Sequence, residues 1–327
     1  MAALTAEQEI NSAVSRSRTR SMCALQHSRC RVPLCEARAR SLICRAAMSY
    51  DDDPSSRANM KTKLAIVSLL CGLSASSLIA QAIESSFFKT SDGVRIHYLA
   101  AGTGPGIVFV PGWMLPAWIW QKQIEEFSKK YRVIAVDPRS QGESEKPHYG
   151  HLPEIRARDY KELVDHVGLK RPVLVGWSMG CVELMKYVEQ FGTENLAALV
   201  LVDGLLPEKP NGELFVNFAT GLDDLQQNRQ KQTDLFVRGM FKKPQAEDYL
   251  KRLMDATLQV PTDTAVTLSY NMIAAKDISA DLAKTNRPML YLYEPGTQDT
   301  ADLLKSKLGD KVQLEDIREC RSCTFRR

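Results

Sequence analysis

Ser178 stands at the centre of Gly176-Trp177-Ser178-Met179-Gly180, a G-x-S-x-G pentapeptide. An apolar run at 172–175 precedes it and a helical pattern at 181–190 follows. That context describes a sharp strand-to-helix turn that lifts a serine hydroxyl above a sheet, where it can attack an acyl carbon. Glycines are required at 176 and 180 because side chains there would strike neighbouring backbone. A serine nucleophile also needs a base, and in this strand–turn–helix arrangement the histidine comes last in chain order. The five histidines are His27, His97, His148, His151 and His166, and all precede Ser178. The sequence thus offers a placed nucleophile with no base in the expected position.

The surrounding elements read as follows. Residues 94–99 alternate as a strand, and His97 is read there as a strand side chain without a catalytic task. Residues 107–110, 132–136, 172–175, 196–202 and 288–293 are short apolar runs of the kind found in buried parallel strands. Helices are expected at 116–130, 152–167, 181–190 and 300–307, and a last strand at 312–317. Alternating buried strands and helices imply an α/β protein with a mostly parallel sheet and right-handed crossovers. Residues 205–286 lose the strand rhythm and read as amphipathic helices, an inserted lid over the carboxyl ends of the strands. No internal repeat is visible.

Pro111-Gly112-Trp113 after an early buried strand, Asp137-x-Arg139-x-x-Gly142-x-Ser144, the pentapeptide, and Leu201-Val202-Asp203-Gly204 occur together. With them, residues 83–317 resemble the α/β-hydrolase fold superfamily, specifically its small lidded esterase, lipase and non-haem peroxidase-like members. The resemblance implies a sheet of the α/β-hydrolase type, with Ser178 Oγ forming an acyl-enzyme. It places the oxyanion hole at the backbone N–H groups of Trp113 and Met179. Such donors, aimed at developing charge, are worth about 3 kcal/mol each. Pro111 stands where the family carries a histidine, which removes a side chain but not the Trp113 donor. For the acid the resemblance points first to Asp299 and second to Glu294. Asp203, at the end of the preceding strand, is an alternative location, with backbone capping as its competing role. Asp137 and Arg139 are read as loop-ordering residues.

The family's last strand leads into a Gly-His loop and a closing helix. Here residues 318–327 are Arg- and Cys-rich and hold no lysine, like residues 1–59. The expectation is an aberrant tail, with the triad histidine, its loop and the last helix missing from this form. His148 and His151 follow a strand's carboxyl end and are the nearest substitutes; His166 sits within a helix.

The formal charge of +4 belongs to the ends. Residues 83–317 hold 28 basic and 32 acidic side chains, and no basic stripe with interleaved aromatics, so a nucleic-acid partner is not expected. Six of the eight cysteines also lie at the ends, at 23, 30, 35, 44, 320 and 323, without ligand spacing or a βαβ context. No metal and no organic cofactor are expected, and Cys181 is read as a packing residue. Met60-Lys61-Thr62-Lys63, an apolar run at 64–73 and Ala80-Gln81-Ala82 form a charged, an apolar and a cleavage region in order. Residues 60–82 are therefore expected to act as a signal peptide, giving an exported protein. The competing reading is a membrane anchor at 64–82. Residues 1–59 lack hydrophobic periodicity and are expected to be a disordered or non-native leader.

Two functions follow. One is a serine hydrolase acting on small carboxylic esters or acyl compounds, weak or inactive in this form. The other is a non-catalytic, hydrolase-like binder in which Ser178 is vestigial. Leu214, Phe215, Phe218, Leu222, Phe236, Met240 and Phe241 suggest an apolar acyl pocket, or equally lid-to-core packing.

Overall fold

In the computed structural model, residues 82–204, 212–274, 282 and 285–317 are described. The leader, most of the 60–82 segment and the 318–327 tail lie outside them. Among the described residues eight strands form one sheet. They are β1 (Glu84–Lys89), β2 (Arg95–Ala101), β3 (Gly106–Val110), β4 (Arg132–Val136), β5 (Val173–Trp177), β6 (Ala198–Val202), β7 (Met289–Tyr293) and β8 (Val312–Asp316). Their spatial order is β1-β2-β4-β3-β5-β6-β7-β8. The β1–β2 and β2–β4 pairs are antiparallel and the rest parallel, so the sheet is mostly parallel, as expected.

The connecting helices are α1 (Gln121–Phe127), α2 (Pro153–His166), α3 (Met179–Phe191), α4 (Gly212–Gln227), α5 (Arg229–Gly239), α6 (Glu247–Leu258), α7 (Thr262–Ala274) and α8 (Gln298–Leu308). Four of them, α4–α7, occupy the chain between β6 and β7.

The strand period of two divides the core. On β3, Val108 and Val110 face a cluster with Tyr160, Leu163, Leu184 and Leu304 from α2, α3 and α8. Ile107 and Phe109 face the opposite cluster, with Trp120, Ile124, Val237 and Leu253. Both faces of β3 are buried, which is why its sequence is a continuous apolar run.

Three details differ from the sequence reading. The helix expected at 116–130 divides into a 3₁₀ turn, Ala117–Trp120, and the short α1. The helix expected at 300–307 starts earlier, at Gln298, directly after a 3₁₀ turn at Pro295–Thr297. Strand β1 was not legible: its adjacent Phe87 and Phe88 break the alternation, because it is an edge strand with only one paired side.

Candidate active site

β5 ends at Trp177 and α3 begins at Met179, so Ser178 alone makes the turn between them. Its φ is +53°, a region that a non-glycine residue occupies only when its surroundings hold it there. Those surroundings are tight. A Cβ added to Gly176 would lie 2.7 Å from the Gly180 carbonyl oxygen, and one on Gly180 would lie 2.9 Å from the carbonyl oxygens of Val110 and Pro111. The two glycines therefore let β5, α3 and the end of β3 meet. The Ser178 N–H is held by the Val202 carbonyl at 2.9 Å, and its side chain is half-buried.

The loop after β3 lies against this turn. A Cβ on Gly112 would come within 3.2 Å of the Ser178 Cβ. Trp113 follows, half-buried, and Met114, fully buried, has φ +59°. Met179 is the first residue of α3, so its N–H has no partner within the helix. The structure thus brings Ser178 together with the loop of Trp113 and with the Met179 amide.

A buried polar chain fixes that loop from behind. The Gln141 amide nitrogen donates to the carbonyls of Gly112 (3.0 Å) and Leu115 (2.8 Å). Its oxygen accepts from Arg156 Nη2 at 2.8 Å. Arg156 Nε in turn donates to Glu183 of α3, which also accepts from the Tyr160 hydroxyl. All these side chains are buried. The loop after β3 and the helix that begins just after Ser178 are therefore tied together through Gln141, Arg156 and Glu183. Nothing in the residue types at 141, 156 and 183 announces this; only their burial does.

The three carboxylates proposed for the acid fall in different settings. Asp203 directly follows β6, the neighbour of β5, with φ +47° and 7% exposure. Its Oδ1 lies 3.1 Å from the Thr297 hydroxyl. Glu294 is equally buried, follows β7, and its Oε2 lies 3.4 Å from Lys242 Nζ. Asp299 is exposed in the first turn of α8.

The described histidines are engaged elsewhere. His148 is exposed, 3.7 Å from Asp263. His151 is buried, with Nε2 2.9 Å from the Ser140 hydroxyl. Burial, and then the charges of Arg156 and Arg139, push its pKa down to about 4. His166 stacks on Phe88. His97 meets Asp137 and Ser85. His27 lies outside the described residues. Asp137 also accepts the N–H groups of Ala117 and Glu143, and Arg139 makes a bidentate bond to Asp159 at 2.6 and 2.7 Å, so both residues order the loops around them. Cys181 is fully buried with Sγ 3.2 Å from the Gly176 carbonyl oxygen, and burial pushes its thiol well up.

Over the loop, Trp113 donates its indole N–H to the Ala265 carbonyl of α7 (3.0 Å) and meets the Phe236 ring edge-on at 5.0 Å. Met114, Leu225, Val260 and Ala265 form a small cluster there, with Leu222 and Phe236 against it. Met240 and Phe241 pack on the sheet-side cluster. The side chains of Leu214, Phe215 and Phe218 are outside what is described. Among the described residues, no group of three or more His, Cys, Asp or Glu is placed to hold a metal ion, and no helix is long and apolar enough to cross a membrane.

A strand order of 1-2-4-3-5-6-7-8 with a serine at φ +53° after the fifth strand is joined by sequence similarity. A family model described as the alpha/beta hydrolase fold matches residues 105–240. The chain belongs to the α/β-hydrolase fold superfamily. Among curated relatives, this α/β-hydrolase-fold chain is 37% identical over 122 residues to a non-heme haloperoxidase of Rhodococcus erythropolis, covering 37% of this chain and 44% of that protein. It is 32% identical over 117 residues to a soluble epoxide hydrolase of Corynebacterium sp., covering 35% and 41%. The matches thus span less than half the length of these relatives. Among solved structures, an esterase from Exiguobacterium antarcticum superposes with a TM-score of 0.65 at 21% identity, over 71% of this chain and 90% of the other. That likeness is one of fold.

Proposed function

We propose that this chain is a hydrolase built to act on carboxylic esters through an acyl-enzyme on Ser178, and that in its 327-residue form it turns over slowly. The observation that supports this reading best is the close approach of Gly112 to Ser178, with the hydroxyl-bearing residue at positive φ. In the proposed reaction Ser178 Oγ attacks the ester carbonyl carbon. The Trp113 and Met179 amides stabilise the oxyanion, the alcohol leaves, and water then releases the acid. Asp203 is the acid favoured by its setting, since a triad carboxylate works buried, and Asp299 is exposed. Helices α4–α7 serve as the lid. Within these 327 residues no histidine follows Ser178, so the reaction is proposed without a triad base. Removing one triad member leaves a residual ~10³–10⁴-fold over water from the oxyanion hole and binding.

A short p-nitrophenyl ester tests this. Slow hydrolysis, reduced further by Ser178→Ala, is expected. Hydrolysis identical in the two proteins would overturn the reading. A second reading is a hydrolase-like binder with a vestigial serine. In that case a fluorophosphonate would leave Ser178 unlabelled. Export through residues 60–82, with 64–82 as a membrane anchor in the competing form, is likewise proposed on the sequence pattern alone.

A further inference from the structure

Histidine, carboxylate and serine do come together in this chain, but not at Ser178. His97 Nδ1 lies 2.6 Å from Asp137 Oδ2, and His97 Nε2 lies 2.8 Å from Ser85 Oγ. His97 and Asp137 are buried, whereas Ser85 is exposed on the edge strand β1. We propose that Ser85, His97 and Asp137 form a second nucleophilic centre, which accepts acyl or phosphonyl groups from small activated donors.

The hydrogen-bond pattern fixes the direction of the relay. Besides His97, Asp137 receives the N–H groups of Ala117 and Glu143, so its carboxylate is an acceptor on every side. In its neutral form the His97 ring then carries its proton on Nδ1 and presents Nε2 as an acceptor to the Ser85 hydroxyl. A nucleophile bonded to a base, with the base oriented by a third group, is the arrangement that activates a serine. A histidine that served only to order the loop after β4 would need no partner at Nε2. Here Nε2 faces the one group in the set that solvent reaches.

Backbone alternation adds a donor. The carbonyls of Arg95 and His97 accept from Glu145 and Asp137, on the side of β2 away from β1. Ile96, Tyr98 and Ala100 therefore make the bonds to β1, through their partners Phe88, Ser86 and Glu84. That turns the N–H groups of Ser85 and Phe87 outward, along the edge of the sheet that pairs with no other described strand. The Ser85 amide lies beside its own hydroxyl, where an oxyanion would form. A single solvated donor is a weak oxyanion hole, so the centre captures an acyl group more readily than it releases one. The two serines are complementary: Ser178 has the elbow and oxyanion loop without a base, and Ser85 has the base and acid without an enclosed hole.

The step balances as an ordinary acyl transfer. Ser85 Oγ forms a bond to the acyl carbon as its proton passes to His97 Nε2. The bond from that carbon to the leaving oxygen breaks, and the leaving group departs with the proton from His97. Asp137 stays a carboxylate and faces the transient imidazolium. With a fluorophosphonate, Oγ bonds to phosphorus, fluoride leaves, and the proton is lost to buffer.

The test is peptide mapping by mass spectrometry after timed treatment of the full chain with a fluorophosphonate. It uses Ser178→Ala, so that failure of the Ser178 reading cannot obscure the result. Exposed Ser306, whose hydroxyl donates to the Leu303 carbonyl at 2.7 Å, is the internal reference without a base. We expect Ser85 to label about 100-fold faster than Ser306, and His97→Asn, with its melting temperature checked, to bring Ser85 down to the reference rate. Labelling of Ser85 no faster than Ser306, or unaffected by a folded His97→Asn, would overturn the proposal. Should His97→Asn fail to fold, the Ser85-to-Ser306 ratio in Ser178→Ala decides alone.

Discussion

The side-chain amide of Gln141 holds Gly112 by its carbonyl oxygen at 3.0 Å, and Gly112 is the residue that abuts Ser178. The orientation of that amide is set by its neighbours. Two carbonyls face its nitrogen and Arg156 faces its oxygen, so only one of its two flips satisfies all three. Gln141→Ala would leave the buried Leu115 carbonyl and Arg156 Nη2 without this partner, and the Gly112 carbonyl with only the Leu115 N–H at 3.3 Å. Unsatisfied buried groups cost about 1–3 kcal/mol each, and partial relaxation or entry of water offsets some of that. The expected loss is about 2–4 kcal/mol in urea unfolding, together with slower fluorophosphonate labelling of Ser178. A stability unchanged within 0.5 kcal/mol, of the order seen at ordinary surface sites, would show that Gln141 does not fix the loop.

How far the sequence carried this picture depends on what each residue touches. Strands β3, β5 and β6 were readable because both of their faces are buried and their runs are apolar throughout. Ser178 was readable because its turn tolerates only glycine at 176 and 180, a constraint written in adjacent letters. Gln141, Arg156 and Glu183 were not readable. Their side chains converge across sequence separations of 15 to 27 residues, and polar letters at such spacing look like surface. In sequence Asp299 came ahead of Glu294 and Asp203, and burial, which the letters do not carry, sets Asp203 and Glu294 apart from the exposed Asp299. Ser85 was invisible for a further reason: its strand has one paired edge and no regular alternation.

No histidine follows Ser178 within these 327 residues, which suggests a rescue. If Ser178 is placed and lacks only a proton acceptor, free imidazole should raise p-nitrophenyl ester hydrolysis above its own background, and not in Ser178→Ala. The same assay separates the carboxylates. Asp203→Asn should weaken the rescue by an order of magnitude or more, because the buried carboxylate steadies an imidazolium formed nearby. Asp299→Asn, at an exposed helix start, should leave it unchanged. The opposite pattern would move the acid to Asp299.

His151 gives the folded state a pH dependence whose sign is fixed. Its pKa is lowered to about 4 by burial and by Arg156 and Arg139, against about 6.5 in the unfolded chain. The unfolded state therefore binds a proton first as pH falls. Stability from the neutral ring is fully present above pH ~6.5 and drains away toward pH ~4, by about 2 kcal/mol once partial solvent screening is allowed. Comparing urea midpoints of wild type and His151→Gln from pH 7.5 to 4.5 isolates this term from the carboxylates. The difference between the two proteins should change with pH in that window, and a constant difference would exclude His151 as the source.

Trp113 joins the loop beside Ser178 to helix α7 by a hydrogen bond from its indole N–H to the Ala265 carbonyl at 3.0 Å. Its ring also meets Phe236 of α5, so Trp113→Phe removes the donor while keeping an aromatic contact. Ala265 is fully buried, and its carbonyl has an intrahelical acceptor role as well, so losing the indole should cost about 1 kcal/mol rather than the full penalty of an orphaned group. The cost should be local. Residues 262–274 lose their tie to the loop while the sheet keeps its own ladder, so amide exchange should quicken across that helix and stay unchanged in β3 and β5. Faster exchange in β3 and β5 as well would mean that Trp113 supports the core, and equal exchange everywhere would mean that helices α4–α7 are held without it.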